Sequence, residues 1–321
     1  MSTFNQEFYD KVINDYNYEK TSDASFILKN IPKEELVHHW LCGYNIEVFN
    51  NVPVEKSLVS MGLGINNTPH LGTLNQILKI IKLQRAGYDV QVILGDMHAN
   101  NARGRSTDKI KQLSEKYSNF ITKLGFDTTK GRIRKQSQSK NVAFNAFQIA
   151  NYVRNQDFKD LIENAHKQAY TNMSFPLKQA ILMIIADTLS PGIDNEYKSI
   201  LANFGIDEHV YVSKAHEIAD RMGLDFTVSG LFSKPIKGIN GHELMGKSKP
   251  NSGIFLDSDP VALENLIMKN KNDTSTMSDE KIFELMQNLS FDSDNKKDFL
   301  HSVIQYCQTW KTLAPEDEIT K

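Results

Sequence analysis

Two short segments carry side chains suited to handling phosphate. The first is Pro69-His70-Leu71-Gly72-Thr73. The apolar residues Leu71, Leu74, Ile77, Leu78 and Ile81 follow at helical spacing, so the segment lies at a helix start. A helix start offers unpaired backbone N–H groups and the positive end of the dipole. His70 can donate to a phosphate oxygen, and Gly72, with no Cβ, lets a planar base lie against the backbone. The second segment is Leu244-Met245-Gly246-Lys247-Ser248-Lys249. Two lysines on a Gly- and Ser-rich loop can close over a polyphosphate. Taken singly, the first segment fits a capping histidine beside a packing glycine, and the second fits a solvated basic loop.

The elements that must position these segments are legible around them. Residues 57–65 (SLVSMGLGI) read as a buried strand, residues 66–69 as a loop, and residues 90–94 (VQVIL) as a second buried strand. Strand, loop, helix and strand within about forty residues make a βαβ unit, and so a parallel sheet. Further strands are expected at 200–204 and 225–228, and helices at 107–124 and 208–221. Residues 141–172 read as helical. The apolar run 179–189 (QAILMIIADTL) fits one buried helix or two short elements. The division expected is a mostly helical N-terminal extension over 1–55, an α/β domain with a Rossmann-like parallel sheet over 56–258, and a short helical region over 259–321.

Composition narrows the class. Of 321 residues, 40% are hydrophobic and 24% charged, the balance of an ordinary globular chain. No stretch of eighteen apolar residues suggests a membrane span, and the acidic opening residues do not resemble a secretory leader, so a cytoplasmic protein is expected. Two cysteines, Cys42 and Cys307, make neither a disulfide framework nor a four-cysteine metal site. The net charge of −2 hides an asymmetry. Residues 101–140 hold eleven Lys/Arg against three Asp/Glu, whereas residues 259–321 hold seven against twelve. The first block can meet phosphates or simply be a solvated helix face and loop. The second repels them.

In this order and spacing the two segments resemble the HIGH and KMSKS signatures of class I aminoacyl-tRNA synthetases. The resemblance extends to residues 205–219, which open with GIDEHVY, to residues 250–256 (PNSGIFL) after the loop, to Gln179-Ala180, and to residues 92–99 (VILGDMHA). It covers residues 57–259 and points to the tryptophanyl/tyrosyl subclass, closest to archaeal and eukaryotic tryptophanyl enzymes. Leu244 and Gly246 replace the first lysine and serine of the loop signature, and Thr73 the second histidine of the turn. The region after the loop is shorter than the usual anticodon-binding module.

The resemblance implies activation of an amino acid by ATP with Mg²⁺, transfer to tRNA, and a homodimer. His70, Thr73, Lys247, Ser248 and Lys249 would serve catalysis. Gly62, Gly64, Pro69, His70, Gly72, Gly205, Asp207, Met245 and Lys247 would border the nucleotide. Gln179 and Glu208 would read the amino acid. Asp187, a lone acid in an apolar run, and His98, at a strand end, are further candidates there; a cap residue and a hydrogen-bonded structural histidine explain those two equally well. No residue set is expected to form a dedicated metal cage. Transfer of the amino acid to another acceptor, or binding without catalysis, is the alternative. Any tRNA contact is expected to run through residues 103–140, including Arg132, Arg134 and Lys135, to the acceptor arm.

Overall fold

The computed structural model describes residues 4–104, 106–164, 173–240, 242–247, 251–268, 277–289 and 295–313. Seven strands form one sheet: β1 (Glu19–Lys20), β2 (Cys42–Tyr44), β3 (Ser57–Leu63), β4 (Asp89–Leu94), β5 (Gly131–Lys135), β6 (Ser199–Gly205) and β7 (Thr227–Ser233). Their order is β1-β2-β7-β6-β3-β4-β5. The five from β7 to β5 run parallel, and β1 and β2 add an antiparallel edge.

The parallel strands β3, β4, β6 and β7 are buried on both faces, which explains the apolar runs of β3 and β4; β5, at the edge, is half-buried. One face packs against α2 (Lys33–His39), α3 (Ile46–Asn50), α4 (Leu71–Arg85) and α6 (Thr107–Lys123), joined by the C-terminal α11 (Pro260–Met268), α12 (Asp279–Asn288) and α13 (Lys296–Lys311). The other packs against α1 (Gln6–Asp15), α7 (Lys140–Ile149), α8 (Asn155–Asn164), α9 (Phe175–Ile193) and α10 (His209–Arg221). A short α5 (Asp96–Arg103) follows β4. No described helix is long and apolar enough to cross a membrane.

The βαβ unit is β3–α4–β4, with all six residues from Leu58 to Leu63 in register with Asp89 to Leu94. The apolar run 179–189 lies inside one helix of 19 residues, α9. The strand expected at 225–228 lies further on, at Thr227–Ser233, because its serines and glycine are buried rather than at a turn. Ser229 Oγ donates to the Asn45 carbonyl at 2.8 Å, and Gly230 leaves room for the Phe232 ring. Strand β5 lies within the basic block, whose sequence shows no strand pattern. Its Gly131 is required, since a β-carbon there would stand 2.7 Å from the Val90 carbonyl oxygen.

Candidate active site

The C-terminal end of β3 delivers the chain into the turn that starts α4. His70 is the N-cap of α4, with extended backbone, and its Nδ1 accepts from the Thr73 N–H at 3.4 Å. That bond leaves the ring proton on Nε2, free to donate. Burial, and next the nearby Lys247 charge, push the imidazole pKa down to about 3, so the ring is neutral. Gly72 sits under this ring, where a β-carbon would lie 3.0 Å from His70 Nδ1 and Cε1.

The second segment is folded directly onto the first. Leu71 N–H donates to the Ile254 carbonyl at 3.0 Å, and Leu256 N–H to the Pro69 carbonyl at 2.9 Å. Ser252 Oγ accepts from Gly246 N–H at 2.9 Å and fixes the base of the loop, while buried Met245 packs on Gly253. Lys247 thereby reaches β3. Its Nζ donates to the Gly64 carbonyl and lies 5.2 Å from the centre of the Tyr117 ring, while Asn67 Nδ2 donates to its carbonyl at 2.8 Å. Tyr117 in turn donates to the Asn67 carbonyl at 2.9 Å. Enclosure of the ammonium end lowers the Lys247 pKa to about 7, against a smaller opposing effect of Glu208. Ser248 and Lys249 lie outside the described residues.

Beside this pair a cavity of about 180 Å³ opens at the carboxyl ends of β3, β4 and β6. Ligands gather at that edge of a parallel sheet. Gly62, Gly64, His98, Asp187 and Glu208 line it, with Ile93, Ile184, Phe204 and Tyr211 as its apolar walls. A β-carbon on Gly64 would meet nothing within 4 Å, so the backbone there is open. Gly205 ends β6, where a side chain would collide with the Asp207 carboxylate. His98 N–H donates to Gln136 Oε1 at 3.0 Å.

Asp187 is 4% exposed, which removes the cap interpretation. Gln136 Nε2 donates to its Oδ2 at 2.5 Å, and Arg134 Nη2 stands 2.9 Å from its Oδ1. The guanidinium is poorly aligned: Asp187 Oδ1 and both Arg134 Nη atoms have no hydrogen-bond partner among the described residues. Burial raises the Asp187 pKa, with Arg134 and Gln136 opposing.

Two parts of the sequence reading differ from the geometry. Gln179 is exposed on α9 and does not line the cavity. It precedes Asp187 by eight positions, about 12 Å along a helix. The basic strand is not a free cationic surface either. Arg134 is spent on Asp187, Arg132 pairs with Glu196 at 2.7 Å, and Lys135 pairs with Glu115. Sequence reasoning missed Arg134, Gln136 and Tyr117 as parts of the site. The one signal in the sequence was Asp187 itself, a lone acid in an apolar run that calls for a partner.

The family model for class I tRNA synthetases (W and Y) matches residues 63–315. The chain belongs to this family. Among characterised W/Y synthetases it is 25% identical to tryptophan–tRNA ligase 1 of Halobacterium salinarum, over 48% of this chain and 29% of that one. It is 23% identical to the tyrosine–tRNA ligase of Methanopyrus kandleri, over 67% of this chain and 64% of that one. The matches thus span under two thirds of the length of both relatives. In fold, the tryptophanyl-tRNA synthetase of Aeropyrum pernix K1 superposes with a TM-score of 0.77 at 16% identity, covering 96% of this chain and 94% of that one. The tyrosyl-tRNA synthetase of Archaeoglobus fulgidus gives 0.63 at 16% identity, covering 84% and 92%. The W/Y synthetase fold thus holds for the seven-stranded sheet and the helices around it.

The Gly72 contact makes a sharp prediction for a W/Y synthetase. Gly72→Val will displace the His70 ring; under the function proposed below, that lowers turnover by up to about 100-fold, the cost of misplacing a group by about 1 Å. Its melting temperature will stay near that of the parent. Unchanged ATP–pyrophosphate exchange would show that the ring position does not matter.

Proposed function

We propose that this chain activates an aromatic amino acid, tryptophan or tyrosine, with ATP and transfers it to tRNA, acting in the cytoplasm. The observation that carries this reading is Lys247 held beside His70 and Gly64 from the far end of the domain. The amino-acid carboxylate oxygen attacks the α-phosphorus of ATP; the bond to the bridging oxygen breaks and pyrophosphate leaves. Both reactants are anions, so alignment and charge neutralisation are the main tasks. His70 donates from Nε2 as charge builds on the phosphate chain, and Thr73 fixes the ring through its backbone N–H. Lys247, released from the Gly64 carbonyl, receives the leaving pyrophosphate; its pKa then rises again beside that anion. Ser248 and Lys249 would extend the same loop over the phosphates. Gly62, Gly64, Gly72, Gly205 and Asp207 border the nucleotide. Glu208, His98 and the Asp187–Arg134 pair face the amino acid.

Mg²⁺ would arrive with the triphosphate. Among the described residues no group of three or more His, Cys, Asp or Glu could hold a metal ion, so no step is assigned to protein-bound metal. A homodimer is supported by Phe144 and Phe147 on α7, 63% and 81% exposed, and Phe175 on α9, 71% exposed.

The decisive test is amino-acid-dependent ATP–pyrophosphate exchange across all twenty amino acids, with and without tRNA. Exchange with an aromatic amino acid, followed by charging of tRNA, is the expected result. Exchange without charging would assign the activated amino acid to another acceptor, and no exchange at all would sink the reading.

With Arg132, Arg134 and Lys135 held in ion pairs, the acceptor arm is expected on α6, where Lys109 and Lys111 are exposed. Charge reversal at both will weaken tRNA binding and reduce the salt dependence by about one unit of slope for each phosphate no longer neutralised. Anticodon substitutions will do little. Equal affinity of the variant and the parent at low salt would rule out this surface.

A further inference from the structure

We propose that a second cavity, between α2, β1 and α4, is a binding site for a small inorganic oxyanion of the phosphate class, received by the Lys79 ammonium. The cavity measures about 300 Å³ and is lined by Lys20, Ser22, His38, His39, Lys79 and Lys234 among others. It shares no lining residue with the cavity beside Asp187. Lys79 lies nine positions beyond His70 on the same helix, about 13 Å along its axis.

Lys79 is 2% exposed, and no hydrogen bond or ion pair reaches it among the described residues. Buried lysines ordinarily have a partner. Burial alone holds its pKa down to about 7. The neighbouring His39, 7% exposed, is pushed down to about 3, first by burial and then by the charge of Lys79, so it adds a neutral polar group to the wall. None of the lining residues is acidic. Asp10, which pairs with the lining residue Lys20, is engaged there at 2.7 Å. That leaves Lys79 without a carboxylate partner, while exposed Lys234, whose charge reaches Asp10 only as a minor influence, lines the same cavity. An anion with several oxygens can meet the cations on α4 and after β7 at once, which a lone carboxylate cannot do as well.

The test is calorimetric titration of the full chain with sodium phosphate and, separately, sodium acetate. The parent is expected to bind phosphate and not acetate. Lys79→Met will weaken phosphate binding by about tenfold to a hundredfold, the worth of a hydrogen bond to a charged group. It will fold, with an unchanged or higher melting temperature, because it removes a buried charge. Should it fail to fold, exposed Lys234→Ala will show a severalfold loss instead. With the nucleotide site filled by a non-hydrolysable ATP analogue, the full chain will still bind phosphate through Lys79, which separates this site from the one proposed for the nucleotide. Phosphate binding abolished by that analogue, unchanged by both the Lys79 and the Lys234 variants, or matched by acetate would overturn the proposal.

Discussion

Lys247→Ala will lower ATP–pyrophosphate exchange by about 100- to 1,000-fold, some 2.7–4 kcal/mol of transition-state stabilisation, while the melting temperature changes little. The ammonium contacts the Gly64 carbonyl and the Tyr117 ring, and its stem is partly exposed, so no core is opened by its loss. A pH profile adds a second check. With a pKa lowered to about 7, the ammonium is present below that pH and lost above it. Hence kcat/KM for ATP will fall as pH rises through 7. Lys247→Arg will remove that falling limb, since a guanidinium does not titrate there. A parent profile flat from pH 6 to pH 9 would show that Lys247 does not act as a cation in the free protein.

Arg134→Met will destabilise the protein by about 3–5 kcal/mol, the usual cost of stripping one partner from a buried ion pair. The Arg134 and Asp187 side chains are 17% and 6% exposed, so solvent does little to screen the charge left behind. The double variant Arg134→Met, Asp187→Leu will recover most of that stability, because a packed apolar pair carries no desolvation cost. It will not recover amino-acid affinity if Asp187 reads the substrate. Chemical denaturation together with the KM for the amino acid separates the two roles. A stable Arg134→Met single variant would mean that the pair is not coupled, and full amino-acid affinity in the double variant would free Asp187 from substrate reading.

The sequence made the β3–α4–β4 unit legible, since both strands are apolar on both faces and α4 keeps a helical apolar period. It also pointed to His70 and Lys247, because a helix start and a lysine loop advertise anion chemistry locally. What it hid depends on contacts distant along the chain. Strand β5 (GRIRK) has only Ile133 to suggest a strand, and its place comes from pairing with β4. Its cations read as a nucleic-acid surface until Glu196, Asp187 and Glu115 are set opposite them. Gln179 sits in the right stretch of chain but on the wrong turn of α9. Lys79, an ordinary polar residue in a helix by sequence, is buried only because α2 and the β1–β2 edge fold over it.

That edge has a consequence for how the chain is made. Cys42, Gly43 and Tyr44 find their partners at Phe232, Leu231 and Gly230, about 190 residues later. The Trp40 indole N–H likewise waits for Asn203, to which it donates at 2.8 Å. At a ribosomal rate of about 5–20 residues per second, β1 and β2 spend roughly 10–40 s outside the tunnel with no sheet to join. Long-range pairing of this kind is slow, and an unpaired strand edge invites pairing with other chains. The β1–β2 edge is therefore among the last parts to become native, and the protein's yield in a cell will respond to chaperone supply more than its finished stability would suggest.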